Sequence, residues 1–267
     1  MRKASCLAKP LNSPLDISLW ETMLCKKIGI LGGLSPESTA IYYNHITREY
    51  AKRYGDYNYP EIILYSANFQ EFVDWQNLNR WDLAANKMIS VFKILEEAGV
   101  DFGLIASNTM HIAFDRVQSE VSIPLLSIIE STAEVINIEG MQTVGLLGTV
   151  FTMSRDFYKT GLRKNGIITL VPEKEDQEFI NRVIYEELTR GTIKPESKEE
   201  YLKIIYELRD RGAQGIVLGC TEIPLLIKQE DCSIRLYDTT WIHAERALDY
   251  ATSNRTLFTK NRETRRI

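Results

Sequence analysis

The chain carries one unit twice. Gly99-Val-Asp-Phe-Gly-Leu-Ile-Ala-Ser107-Asn-Thr-Met-His111 lies over Gly212-Ala-Gln-Gly-Ile-Val-Leu-Gly-Cys220-Thr-Glu-Ile-Pro224 at an offset of 113 residues, which sets Ser107 on Cys220. Each copy is an apolar run of strand length that ends in a small nucleophile-type residue followed by polar ones. A second pair, Gly29-Ile-Leu-Gly32 and Gly145-Leu-Leu-Gly148, repeats at an offset of 116. Two copies of one strand-ending unit constrain the chain to a pseudo-twofold molecule with a cleft between its halves. The hydroxyl of Ser107 and the thiol of Cys220 are then expected to meet the same ligand from opposite sides.

The pattern between the copies alternates. Apolar runs at 27–31, 61–66, 102–106, 142–148, 167–171 and 234–238 read as strands, as does the run Leu125-Leu126-Ser127-Ile128-Ile129. Stretches with apolar residues three and four apart read as helices, including one through Tyr42, Ile46 and Tyr50 and others near 82–98, 130–138, 176–188, 197–211 and 241–250. Strands alternating with helices predict parallel sheets. The fold class is α/β, with two pseudo-symmetric Rossmann-like lobes around a cleft. The expected division is an extension over 1–23, a first lobe over 24–120 plus 235–254, a second lobe over 121–234 and a tail over 255–267. In such sheets ligands sit beyond the carboxyl ends of the strands. Ser35, Ser107, Thr149 and Cys220 all fall at such ends.

Composition removes several classes of function. The 267 residues carry a net charge of −4, with 32 Lys and Arg against 36 Asp and Glu, so no basic excess awaits a nucleic acid. No apolar run approaches the roughly 18–20 residues needed to cross a bilayer, so no membrane partner is expected. The four cysteines, Cys6, Cys25, Cys220 and Cys232, form no CxxC and no zinc spacing. Together these point to a cytoplasmic protein with reduced thiols and no metal. Gly29-x-x-Gly32-Gly33 is neither a dinucleotide fingerprint nor a P-loop. We read Gly33 as a tight turn that presents backbone N–H groups to an anion, with Ser35 capping a helix that has Pro36 at its first position.

Gly219-Cys220-Thr221-Glu222 is the sharpest motif. A thiol at a strand end and helix start is expected to be drawn toward thiolate, and so to move protons near neutral pH. Ser107 either caps the next helix or faces the ligand. Asn108 and Thr109 supply donors for an anion. For His111 a cap, a core residue and a proton relay all remain open, and for His243 a site-lining and a structural role.

These pieces resemble the aspartate/glutamate racemase superfamily, and most of all its broad-specificity amino-acid racemase branch. The resemblance rests on Ile28-Gly-Ile-Leu-Gly-Gly-Leu-Ser-Pro-Glu-Ser-Thr39, Ser107-Asn-Thr-Met-His111, Gly148-Thr149, Met153 with Asp156-Phe-Tyr158, Gly219-Cys-Thr-Glu-Ile-Pro224, and Asp238-Thr with Ile242-His-Ala-Glu245, over about residues 24–252. It implies a homodimer of two-lobed subunits whose last helix returns to the first lobe. It implies catalysis with no cofactor, by two cysteines that exchange the α-proton of an aspartate- or glutamate-like substrate. By that resemblance Cys220 is one acid/base and Ser107 stands where the other cysteine would be. Asn108, Thr109 and Thr221 then hold the α-carboxylate, while Arg53 and Lys174 meet the distal one. An aliphatic hydroxyl is a far weaker acid than a thiol. Two other activities therefore stay open: a one-thiol decarboxylase or isomerase of small dicarboxylic acids, and a carboxylate-binding homologue without turnover.

Overall fold

The computed structural model describes residues 25–253, so the expected N-terminal extension and C-terminal tail lie outside the described residues. Among the described residues, eight strands form two four-stranded parallel sheets. The first contains β1 (Ile28–Gly32), β2 (Ile62–Ser66), β3 (Phe102–Ile105) and β4 (Leu125–Leu126), in the order β2-β1-β3-β4. The second contains β5 (Thr143–Gly148), β6 (Ile168–Leu170), β7 (Gly215–Gly219) and β8 (Arg235–Asp238), in the order β6-β5-β7-β8. The same strand order occurs twice, so the duplication read from sequence is a duplication of topology. The central strands β1, β3 and β7 are buried along their whole length, which is why they read as continuous apolar runs rather than alternating ones.

The helices named in the argument are α1 (Pro36–Tyr54), α2 (Phe69–Asn77), α3 (Trp81–Glu97), α4 (Phe114–Ser119), α5 (Ile128–Ile138), α6 (Val150–Ser154), α7 (Asp156–Lys164), α8 (Lys174–Glu186), α9 (Pro195–Asp210), α10 (Ile223–Leu226) and α11 (Thr239–Thr252). Four of them start at equivalent strand ends with equivalent caps. After β1 and β5, the side chains of Ser35 and Thr149 accept from the backbone N–H of Ser38 and Thr152. After β4 and β8, Ser127 accepts from Glu130, and Asp238 from Thr240 and Trp241. A side-chain oxygen there satisfies N–H groups that the helix itself leaves unpaired.

The strand expected to reach Ile129 stops at Leu126, because Ser127 turns the backbone and Ile128 and Ile129 enter the first turn of α5. Helix α2 is absent from the sequence reading; its nine residues bury only Phe72 and Gln76, too short a stripe to register as a period. The lobe boundaries also shift. Strand β4, expected in the second lobe, pairs with β3 of the first sheet, and β8, expected in the first, pairs with β7 of the second.

Helix α11 leaves the second sheet and seals the first. Ala244, Ala247, Leu248 and Ala251 pack with Ile28, Ile30, Tyr42, Ile46 and Phe102 in one apolar cluster. His243 locks the junction. Its Nε2–H donates to the carbonyl of Leu126 (2.9 Å), and its Nδ1 accepts from the Tyr42 hydroxyl (2.9 Å). Burial pushes its pKa down to about 3, so the ring is neutral and its role is structural.

Candidate active site

Strands β3 and β7 deliver Ser107 and Cys220 to a single cleft between the lobes, bounding about 430 Å³ of space. Asn108, Thr109 and Thr149 line it as well, as do Thr221 and Glu222. Close backbone approach sets the position of Cys220. Gly219 pairs with Gly148 in register, and a Cβ on Gly219 would come within 2.8 Å of the Leu147 carbonyl oxygen.

Glu222 organises the thiol end. Its Oε2 accepts from the Cys220 thiol (3.0 Å) and from the Thr221 hydroxyl (2.8 Å). Its Oε1 accepts from the Ser35 hydroxyl, which belongs to the opposite lobe. Burial, followed by the Glu222 charge, pushes the Cys220 pKa well above the ordinary thiol value. The expected drift toward thiolate is thereby reversed. Helix α10 has only four residues, and the adjacent carboxylate outweighs any pull from its N-terminus.

At the other end, among the described residues, no hydrogen-bond partner meets the Ser107 hydroxyl, while the Ser107 carbonyl accepts from His111 Nδ1–H (2.7 Å). The backbone N–H of Ile128 donates to His111 Nε2 (3.0 Å). Those two bonds fix one neutral tautomer, and burial holds its pKa down at about 4. His111 therefore clamps the Ser107 backbone to the start of α5 and has no free nitrogen for a proton relay.

The anion-binding candidates form two linked groups. Asn108 Nδ2 donates to Thr239 Oγ1 (2.9 Å), and Asn108 Oδ1 accepts from the Tyr158 hydroxyl (3.1 Å), so the amide is held with one N–H still to give. The hydroxyls of Thr109, Thr149 and Thr152 lie 2.9–3.3 Å apart.

Four other candidates do not reach the cleft wall. Gly33 has a left-handed φ of 76°, but its N–H donates to Thr39 Oγ1 (2.8 Å), so the turn stabilises itself and offers that donor to no ligand. Ser35 acts through Glu222. Arg53 pairs with Glu245 and Asp249 on α11, the latter at 2.6 Å. The Lys174 side chain is 84% exposed at the start of α8, beside Glu178 at 3.9 Å. Residues that the sequence reading missed are Glu222, which stood inside the Gly-Cys-Thr-Glu motif, and Gln76 and Tyr185, for which no local signal exists.

Among the described residues, no group of three or more His, Cys, Asp or Glu could hold a metal ion, and no helix is long and apolar enough to cross a membrane. The chain is similar to the broad specificity amino-acid racemase RacX of Bacillus subtilis (strain 168), at 26% identity over 220 residues, 80% of this chain and 92% of the relative. A putative Asp/Glu racemase from Yersinia pestis superposes with a TM-score of 0.80 at 40% identity, covering 85% of this chain and 99% of that one. The aspartate racemase of Picrophilus torridus superposes with a TM-score of 0.70 at 26% identity, covering 86% and 98%. A family model described as Asp/Glu/Hydantoin racemase matches residues 31–247. With its duplicated sheets and the cleft at their strand ends, the chain belongs to that family and is an isomerase of the racemase class.

Proposed function

We propose that the protein racemises or epimerises amino acids by exchanging the α-proton between its own side chains, with Cys220 acting on one face and Ser107 on the other. The observation that carries this reading is that the ends of equivalent strands from two sheets line one cleft, the Ser107 hydroxyl unpartnered among the described residues and the Cys220 thiol on a carboxylate. The substrate carboxylate is held by the remaining Asn108 N–H and the Thr109 and Thr149 hydroxyls. Its ammonium lies toward Glu222 and offsets the charge that raises the thiol pKa. Glu222 then takes the Cys220 proton, and the thiolate takes the α-proton. The carbanion is reprotonated on the opposite face from Ser107, directly or through a water that Ser107 holds, and the proton left on Glu222 returns through solvent to the oxygen that gave its own.

The asymmetry between a thiol and a hydroxyl makes the reading testable. Followed by NMR in deuterium oxide, one enantiomer of a good substrate should exchange its α-hydrogen much faster than the other. Equal rates would refute separate roles for the two residues, and no exchange from any amino acid would refute racemisation. Ser107→Cys should raise full racemisation; an unchanged rate would mean that Ser107 does not oppose Cys220.

A further inference from the structure

Besides the catalytic pair and its polar neighbours, the cleft is lined by uncharged side chains. Leu34, Phe69, Met110 and Ile184 provide an apolar surface. Into it project Gln76 from α2, in the first lobe, and Tyr185 from α8, in the second. The Tyr185 hydroxyl donates to Gln76 Oε1 (3.2 Å), a hydrogen bond that spans the two lobes. Gln76 is only 4% exposed, and among the described residues no partner meets its amide N–H groups. The buried polar side-chain atoms left without a partner among the described residues are Thr169 Oγ1 and Thr240 Oγ1, so Gln76 Nε2 is not sealed in the interior but opens onto the cleft, where an acceptor on a ligand can meet it.

The charge balance of the wall points the same way. Among the described residues, Glu222 is the one carboxylate lining the cleft, and no Lys, Arg or His lines it. The two cations that the resemblance assigned to a second substrate carboxylate are engaged elsewhere, Arg53 on α11 and Lys174 at the surface with Glu178. A substrate with an acidic side chain would bring a second negative charge into a buried site that already holds the Glu222 carboxylate, with no cation to offset it.

Resting on the racemase reading above, we infer that the cleft selects amino acids with a short uncharged side chain tipped by a hydrogen-bond acceptor, an amide or a hydroxyl, through Gln76 and Tyr185, and discriminates against the matching acids. The side-chain stem lies on Leu34, Phe69 and Ile184, and its oxygen accepts from Gln76 Nε2. The acidic substrate class that the resemblance implied is the competing outcome of the test.

The test uses isosteric pairs. Asparagine against aspartate, and glutamine against glutamate, are offered to the full-length protein in both enantiomers, with α-proton exchange in deuterium oxide and thermal stabilisation read on the same samples. The amide of each pair should exchange at least about tenfold faster than its acid, a floor well below the roughly 10⁴–10⁵ by which a site built around a substrate hydrogen bond can discriminate. Gln76→Arg, or Thr189→Arg at the half-buried rim should the first variant not fold, should move the ratio toward the acids by a similar factor. Faster exchange of the acids in the wild type would overturn the selectivity and leave the racemase reading intact. An unmoved ratio in a folded arginine variant would remove Gln76 and Tyr185 as its cause. If no amino acid exchanges, the racemase reading fails and the thermal shifts decide: stabilisation by the amides supports the selectivity, and stabilisation by the acids overturns it.

Discussion

Ser35 of the first lobe donates its hydroxyl to Glu222 of the second, and the other oxygen of that carboxylate accepts from the Cys220 thiol. The state of the thiol is thus coupled to the apposition of the lobes. Ser35 serves two masters, since its oxygen also accepts from the Ser38 N–H at the start of α1. An opening of the cleft that separated Ser35 from Glu222 would leave the carboxylate with Thr221 and Cys220 alone.

Replacing Glu222 separates its electrostatic effect from its chemical one. Glu222→Gln removes the charge that raises the Cys220 pKa, so the pH profile for alkylation of Cys220 should move to lower pH. Turnover should nevertheless fall by about 10²–10⁴, the usual cost of losing a positioned acid or base. A profile that stays in place would show that burial alone sets the thiol pKa.

Ser35→Ala and Ser127→Ala each delete an equivalent helix cap. Each should cost about 1 kcal/mol of stability by denaturant unfolding. Only Ser35→Ala should also lower the exchange rate, because only Ser35 touches Glu222. Equal loss of activity in both would assign the effect to the caps.

Gly219→Ala should damage the site through the backbone. The added methyl would lie 2.8 Å from the Leu147 carbonyl oxygen and 2.9 Å from Leu146 Cδ1, so β7 must shift and carry Cys220 with it. We expect a loss of 1–3 kcal/mol together with lower activity, against a wild-type alkylation rate in urea, where the fold no longer matters.

Acid should loosen the junction that His111 holds. Its folded pKa of about 4 lies below its ordinary value of 6.5, so the unfolded chain binds the proton more readily. The stability this neutral ring contributes is complete above about pH 6.5 and is lost as pH falls toward 4, on the order of 3 kcal/mol. His111→Gln, though less stable at pH 7.5, should therefore lose less on acidification than the wild type when melting is followed from pH 7.5 to 4.5. Parallel curves would contradict a buried neutral imidazole.

What could be read from the residues in order was whatever local chemistry repeats. The two apolar strands ending in Ser107 and Cys220, the Ser35 and Pro36 helix start, and the alternation of strand and helix all follow from periods and turns within a few residues, and the paired sheets share one topology. The Ile128-Ile129 segment was misjudged because an apolar pair fits a buried strand and a buried helix equally, and the Ser127 cap decided between them.

By itself the sequence determined the duplicated parallel sheets, the cleft at their carboxyl ends and the identity of the two residues delivered there, because backbone periodicity and capping are local properties. Tertiary structure alone decided that Glu222 holds the thiol against Ser35, that His111 braces a backbone instead of relaying protons, and that Gln76 meets Tyr185 while Arg53 is taken by α11. Those outcomes depend on which side chains from distant elements arrive together, and on the burial that sets their charge, and neither is written in the spacing of residues along the chain.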